Sequence, residues 1–275
     1  MSGGDGDLDL MRPGSKISII IGIIRLENFI KLTEVLTDEM NLYLNKLSKI
    51  IHECASSWNG FVAVNDAGQY MLIWRLPEPN PRERITDELN NPQFIRTEMA
   101  NNSLICFAKI ATEIRRLSEI IEYKSNIKIV KSFGNDFKTE LKMSLHLGWA
   151  VEGAIGSERK IDAAYLSPHI DLGYKLVECT DYYGSSFLIS EALYGILSVK
   201  AKIACRKIDM VSVGFIKEPF GIYSYDLPEE TVQEIAEHKI GGLIKRVELE
   251  SVNVEYFQNK GVEYMFTIDE DLLRA

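Results

Sequence analysis

The chain has 275 residues, 46% of them hydrophobic and 26% charged, and its 40 acidic against 31 basic side chains give a formal net charge of -9. This is ordinary globular composition with enough chain for a sizeable core, and the acidic balance argues against nucleic acid or an anionic membrane as the main partner. Cys54, Cys106, Cys179 and Cys205 are scattered with no CxxC pair, which predicts reduced thiols of the cytosol rather than a disulfide frame or zinc site.

Met1 to Gly14 is Gly- and Asp-rich and reads as disordered. It lacks the basic start of a signal peptide. The longest apolar run, Ile17 to Ile24, falls far short of the ~20 residues a spanning helix needs, so the expectation is a cytoplasmic chain with no direct membrane insertion. That run is rich in β-branched residues and predicts a central strand buried on both faces. Phe29, Leu32, Val35, Leu36, Met40, Leu44, Leu47, Ile50, Ile51 and Cys54 continue as one long amphipathic helical pattern. Phe61 to Val64 and Tyr70 to Trp74 flank Asn65-Asp66-Ala67-Gly68-Gln69, a tight hairpin. Pro77 to Asn102 reads as a polar, exposed and mobile insertion, and Leu104 to Ile121 returns to helical spacing.

Met143, Leu145, Leu147 and Trp149 alternate with Ser144, His146 and Gly148, which puts one apolar face of a strand onto a core. Gly153 and Gly156 then punctuate a turn, and the charged tip Ser157-Glu158-Arg159-Lys160 leads to a second extended piece around Ala164 to Leu166. Pro168 starts a helix, Gly184 stops it, and Phe187-Leu188-Ile189 is a short buried strand. Cys205 to Val213 and Phe220 to Tyr225 close the pattern as strands. The result is an α+β fold, a ferredoxin-like βαββαβ core with an extra helix and strands, its helices covering one face of a mainly antiparallel sheet. Near the end, Thr267-Ile268-Asp269-Glu270 is a capping box with about two turns of sequence after it. So short a helix is marginal unless it docks, which suggests a portion of a larger protein or a partner that receives this end.

Gly148 to Glu178 reads GWAVEGAIGSERKIDAAYLSPHIDLGYKLVE, followed by YGSSFLISEALY and, further on, CRKIDMVSV and IYSYDL. In length, glycine placement and the ERKID tip this resembles the catalytic domain of class III adenylate and guanylate cyclases, and the AYLSP wording is closest to cyclase-like domains of large protist proteins. The resemblance covers most of the chain. It implies the class III nucleotidyl cyclase fold, with a disordered start at 1–15, a cyclase homology domain over 16–228 carrying the insertion at 77–102, and an extension over 229–275.

A cyclase of this family closes the 3′-hydroxyl onto the α-phosphate with two divalent ions, magnesium or manganese, held by two aspartates. An asparagine, an arginine, base-reading residues and a triphosphate lysine come from the other half of a head-to-tail dimer. Matched on ENFIKLTEVL and VNDAGQYMLIW, the resemblance puts Arg25 at the first metal aspartate, Gly68 at the second and Val64 at the base-reading lysine. In the later half Ala164 falls at the second base-reading position, Asp171 at the asparagine, Lys175 at the arginine and Gly214 at the triphosphate lysine. Only Lys175 keeps the charge its role needs, and it lacks the fork that grips two phosphate oxygens. Both half-sites are altered, so a heterodimer does not rescue the site.

The implied function is therefore a catalytically inactive cyclase-like domain with no cofactor, acting as a dimerisation or docking module. Its partner would be a second copy, another cyclase-like domain or the subunits of a larger assembly. Loose family association adds a cilium or axoneme to the cytoplasm as a location. One rival is an active cyclase using Glu27 and Asp66, each two residues from a lost metal position. The plainer reading is that Glu27 begins a helix and Asp66 is a turn residue. A second rival is a nucleotide-sensing regulatory domain with Lys175 and Lys217 as phosphate contacts. His52, His146, His169 and His238 show no metal spacing, GAIGS lacks the lysine-threonine pair of a phosphate loop, Trp58 and Trp149 read as core, and the Glu158-Arg159-Lys160 tip corresponds to the hairpin that reaches the partner in cyclases.

Overall fold

A computed structural model describes residues 12–77, 91–157, 160–213 and 218–225. Strand β1 (Ser15–Leu26) lies at its centre, paired antiparallel with β3 (Gln69–Arg75) on one side and β4 (Leu141–Ser157) on the other. With both neighbours in place, Ile19, Ile20, Ile21, Ile23 and Ile24 are all fully buried, each contributing about 2 kcal/mol relative to an exposed position. The strand reads as β-branched on both faces because both faces are covered.

The edge beyond β3 is β2 (Phe61–Asp66), which turns into β3 through Ala67 and Gly68 alone. Both turn residues have positive φ, 45° and 74°, as a two-residue hairpin with right-handed strand twist requires. From β4 the sheet continues through β6 (Phe187–Ser190), the parallel neighbour, then β8 (Phe220–Tyr225) and β7 (Cys205–Val211), while β5 (Lys160–Leu166) pairs the far half of β4. The order β2-β3-β1-β4 is that of a ferredoxin-like unit.

Helices α1 (Phe29–Leu36), α2 (Met40–Ser57) and α3 (Pro92–Arg116) lie on the face shown by Ile20, Ile24, Tyr70, Leu72 and Trp74. The opposite face, with Ile19, Ile21, Ile23, Met71 and Ile73, is closed by a helix that follows β5, α6 in chain order, through Ile170 and Val177. The expectation of helices on one face holds for the ferredoxin-like unit only. Short helices α4 (Ser118–Ile121) and α5 (Ile127–Phe133) link α3 to β4. Helix α6 (Pro168–Tyr183) starts with the Ser167 hydroxyl accepting from His169 N–H and stops at Gly184 at φ 61°. Helices α7 (Glu191–Ile196) and α8 (Val199–Ile203) connect β6 to β7.

Four local expectations are corrected. The pattern from Phe29 to Cys54 is two helices, because Thr37 sits at φ 50° and breaks the first. Residues 92–102 are helix rather than mobile insertion: Pro92 occupies the first turn, the Asn91 side chain accepts from Gln93 N–H, and Ala100 is buried. The helix after Leu104 ends at Arg116, where Leu117 is extended. Strand β4 runs on through Gly153 and Gly156 instead of turning there. It buries Ser144 and His146 as well as Met143 and Leu145, because α6 covers its second face. The capping box at Thr267, the tip residues Glu158 and Arg159, and His238 lie outside the described residues.

Candidate functional site

The end of β1 is held from both sides. Leu26 N–H donates to the Gly68 carbonyl (2.8 Å), and Glu27 N–H donates to the Glu140 carbonyl just before β4 (3.0 Å). Arg25 is cross-strand neighbour to Gln69 on β3 and Lys142 on β4. The two positions expected for metal ligation, Arg25 and Gly68, are thus brought to one end of the central sheet.

Arg25 points to the α6 face, as Ile19, Ile21 and Ile23 do. There Arg25 Nη2 donates to Asp181 Oδ2 at 2.6 Å, and Lys142 Nζ lies 3.4 Å from the other oxygen. The hydrogen bond from Arg25 holds the Asp181 carboxyl below the usual carboxylate range, with Lys142 adding to it. A cation is therefore fixed at the position where the sequence resemblance implies a carboxylate. A guanidinium has no lone pair to offer a cation, and with Lys142 beside it the Arg25–Asp181 pair carries a net positive charge that gives a divalent ion no attraction.

Gly68 is equally unsuited to a ligand. Its left-handed backbone favours glycine, and a Cβ there would stand 2.5 Å from the Phe29 ring. Asp66, the shifted alternative, is exposed on the last residue of β2. Its charge reaches Tyr174 of α6, whose hydroxyl is pushed up chiefly by burial and then by Asp66. Glu27 precedes α1, whose cap position, Asn28, is left-handed and offers no side-chain cap. Its Oε2 is buried with no hydrogen-bond partner among the described residues. One orphaned carboxylate oxygen does not make a metal centre: among the described residues no group of three or more His, Cys, Asp or Glu side chains is arranged to hold an ion. The residues present do not fit the two divalent ions the fold family uses.

The later half-site lies on α6 and β5. Asp171 and Lys175 are exposed and one helical turn apart, Ala164 is half-buried opposite Gly153, and Val64 is exposed on β2 after an irregularity in the β2–β3 ladder. Gly214 and Lys217 lie outside the described residues.

Sequence reasoning missed Asp181 and Lys142. Their separation of dozens of residues hides the contact, and the one available signal was a carboxylate in the last turn of α6, where the helix dipole gives it no support. It also missed a second polar link between α6 and the sheet. His146 Nε2 lies 2.8 Å from His169 Nδ1 and His146 Nδ1 lies 2.7 Å from Ser190 Oγ. Ser190 Oγ also accepts from Leu193 N–H at the start of α7. Burial, and then His169, depresses the His146 pKa to about 3.

No protein-family model matches the sequence, and no curated protein matches it. Solved structures do. A bacterial light-regulated adenylyl cyclase aligns with a TM-score of 0.60 at 15% identity over 82% of this chain, which spans 58% of that protein. The adenylyl cyclase CyaB from P. aeruginosa aligns at 0.55 and 18% over 78% of this chain and 95% of its own. The guanylate cyclase domain of RhGC from Catenaria anguillulae, in complex with GTP, aligns at 0.53 and 14% over 76% of this chain and 96% of its own. The fold is that of the class III adenylyl and guanylyl cyclase catalytic domains.

Proposed function

We propose that this chain, built on the class III cyclase fold, no longer turns over nucleotide and serves as a dimerising or docking module within a larger assembly. The observation that carries this reading is the Arg25 guanidinium fixed by Asp181 at the first metal position. A bare glycine turn at the second position supports it. The docking half of the reading is supported by the β4–β5 hairpin, which exposes Ile155 and Leu166 on one face of the ribbon. Half-exposed branched side chains on a ribbon edge are suited to an interface core.

The purified domain, incubated with ATP or GTP and magnesium or manganese, should produce no cyclic nucleotide; production of either sinks the inactive reading. The buried, unpartnered Glu27 oxygen favours one second reading, a relocated metal site with Asp66. Calorimetric titration with a non-hydrolysable nucleotide analogue separates the two. Binding that needs manganese and disappears in Glu27→Gln favours the relocated site, and titrations that are unaffected by manganese and by Glu27→Gln favour the module. For the interface, Ile155→Glu with Leu166→Glu should convert a dimer to a monomer by light scattering. A dimer that survives the pair of changes removes the hairpin from the interface.

A further inference from the structure

A cleft of about 740 Å³ opens at one end of the sheet, between the end of α3, α4, the entry to β4 and the turn after α6. Neither Arg25 nor Gly68 lines it. Its volume falls within the range of small-molecule sites. Ile114, Ile120, Leu141 and Met143 form its apolar wall with the edges they do not bury in the core, and Phe137 adds an aromatic edge.

Its rim is basic in a chain whose net charge is -9. Arg115, Lys124, Lys138 and Lys142 line it against a single carboxylate, Glu140. Lys142 is drawn to Asp181. The other three form no ion pair or hydrogen bond with any described residue. They come from different parts of the chain: Arg115 from the last turn of α3, Lys124 from the segment after α4, and Lys138 from the run into β4. Two surface lysines away from the cleft do meet carboxylates, Lys128 with Glu39 and Lys160 with Asp162. Around this cleft the three cations face open space beside an apolar wall.

We infer that the cleft is a binding site for a phosphate-bearing small molecule with an apolar or aromatic body. A carboxylate offers two oxygens and one charge, whereas a phosphate ester offers three oxygens and close to two charges, which suits three cations on separate segments that meet no described carboxylate. The apolar wall receives the rest of the ligand and excludes water from it. The site is independent of the inactive-module reading, since Arg25, Asp181 and Gly68 do not line it and Lys142, drawn to Asp181, is not among the three cations assigned to the phosphate.

Pyridoxal 5′-phosphate is a suitable probe. Its aldehyde carbon forms an imine with a lysine nitrogen as water leaves, and borohydride then delivers hydride to the imine carbon, fixing a secondary amine that peptide mass spectrometry locates. Lys124 and Lys138 should be modified at a concentration at least tenfold lower than the exposed Lys49 and Lys207, and phenyl phosphate should protect them. Equal modification of all four lysines, or no protection, overturns the site. Phenyl phosphate should protect at a concentration at least tenfold below inorganic phosphate; equal potency overturns the apolar half of the assignment. The surface variant Lys124→Glu with Lys138→Glu, shown to be folded by its thermal midpoint, should lose at least tenfold in phenyl phosphate affinity by calorimetry. Unchanged affinity overturns the proposal independently of the labelling.

Discussion

Helix α6 is tied to the sheet at both ends, by opposite chemistry. At its N-terminal end His169 meets His146, which in turn meets Ser190, in a neutral chain whose central ring, His146, is only 3% exposed. At its C-terminal end Asp181 meets Arg25 and Lys142 in an ionic triad whose carboxylate side chain is 53% exposed. The difference teaches where each kind of polar contact is affordable. Unpaired charge is costly under full burial, so the deep link is made of neutral hydrogen-bonding groups. Where water reaches, charges stay solvated and their pairing contributes little.

The sharpest way to break the comparison is acid. The folded-state pKa of His146 is about 3 against an ordinary 6.5, so the neutral ring contributes fully above pH 6.5 and its contribution is lost as pH falls toward 3. The loss by pH 3 should be on the order of 4 kcal/mol. Urea unfolding of the wild type and His146→Gln across this range isolates it: the stability gap should narrow as pH falls, and a constant gap would show that the ring is not buried neutral.

A smaller effect is expected from restoring a carboxylate in the turn beside the ionic end. Gly68→Asp places a side chain on a left-handed backbone and pushes a Cβ into Phe29, for a cost of about 2 kcal/mol. The thermal midpoint should fall by several degrees, and manganese should not restore it. A midpoint that rises with manganese would mean that the turn accepts a metal after all. The smallest effect belongs to the triad itself. A double-mutant cycle on Arg25 and Asp181 should give a coupling of under about 1 kcal/mol, weaker still at 1 M salt. A salt-insensitive coupling above about 2 kcal/mol would erase the contrast between the two ends.

Much of this was legible in the sequence, and for definite reasons. Ile17 to Ile24 announces a strand with two covered faces, the Asn65–Gln69 stretch announces its hairpin, and Ser167, Pro168 and Gly184 bracket α6. These are local signals, each carried by a few neighbouring residues. What failed was non-local or context-dependent. The polar start of α3 resembles an insertion because only one side of that helix meets the core, with Ala100 buried there. The glycines of β4 resemble turn residues because nothing nearby reveals the β5 partner that keeps them extended. The carboxylate partner of Arg25 was not legible because it lies in an element far along the chain.

The central position of β1 also governs the order in which the chain can assemble. Its first neighbour, β3, arrives after a short stretch, but β4, whose Leu141 faces Leu26, is made about a hundred residues later. At ordinary synthesis rates an isoleucine-rich strand with one open edge therefore waits on the order of ten seconds for its second partner. Low-charge, β-branched segments in that state pair readily with copies of themselves. The strand that gives the finished protein its core is thus the one that most needs shielding while the protein is being made.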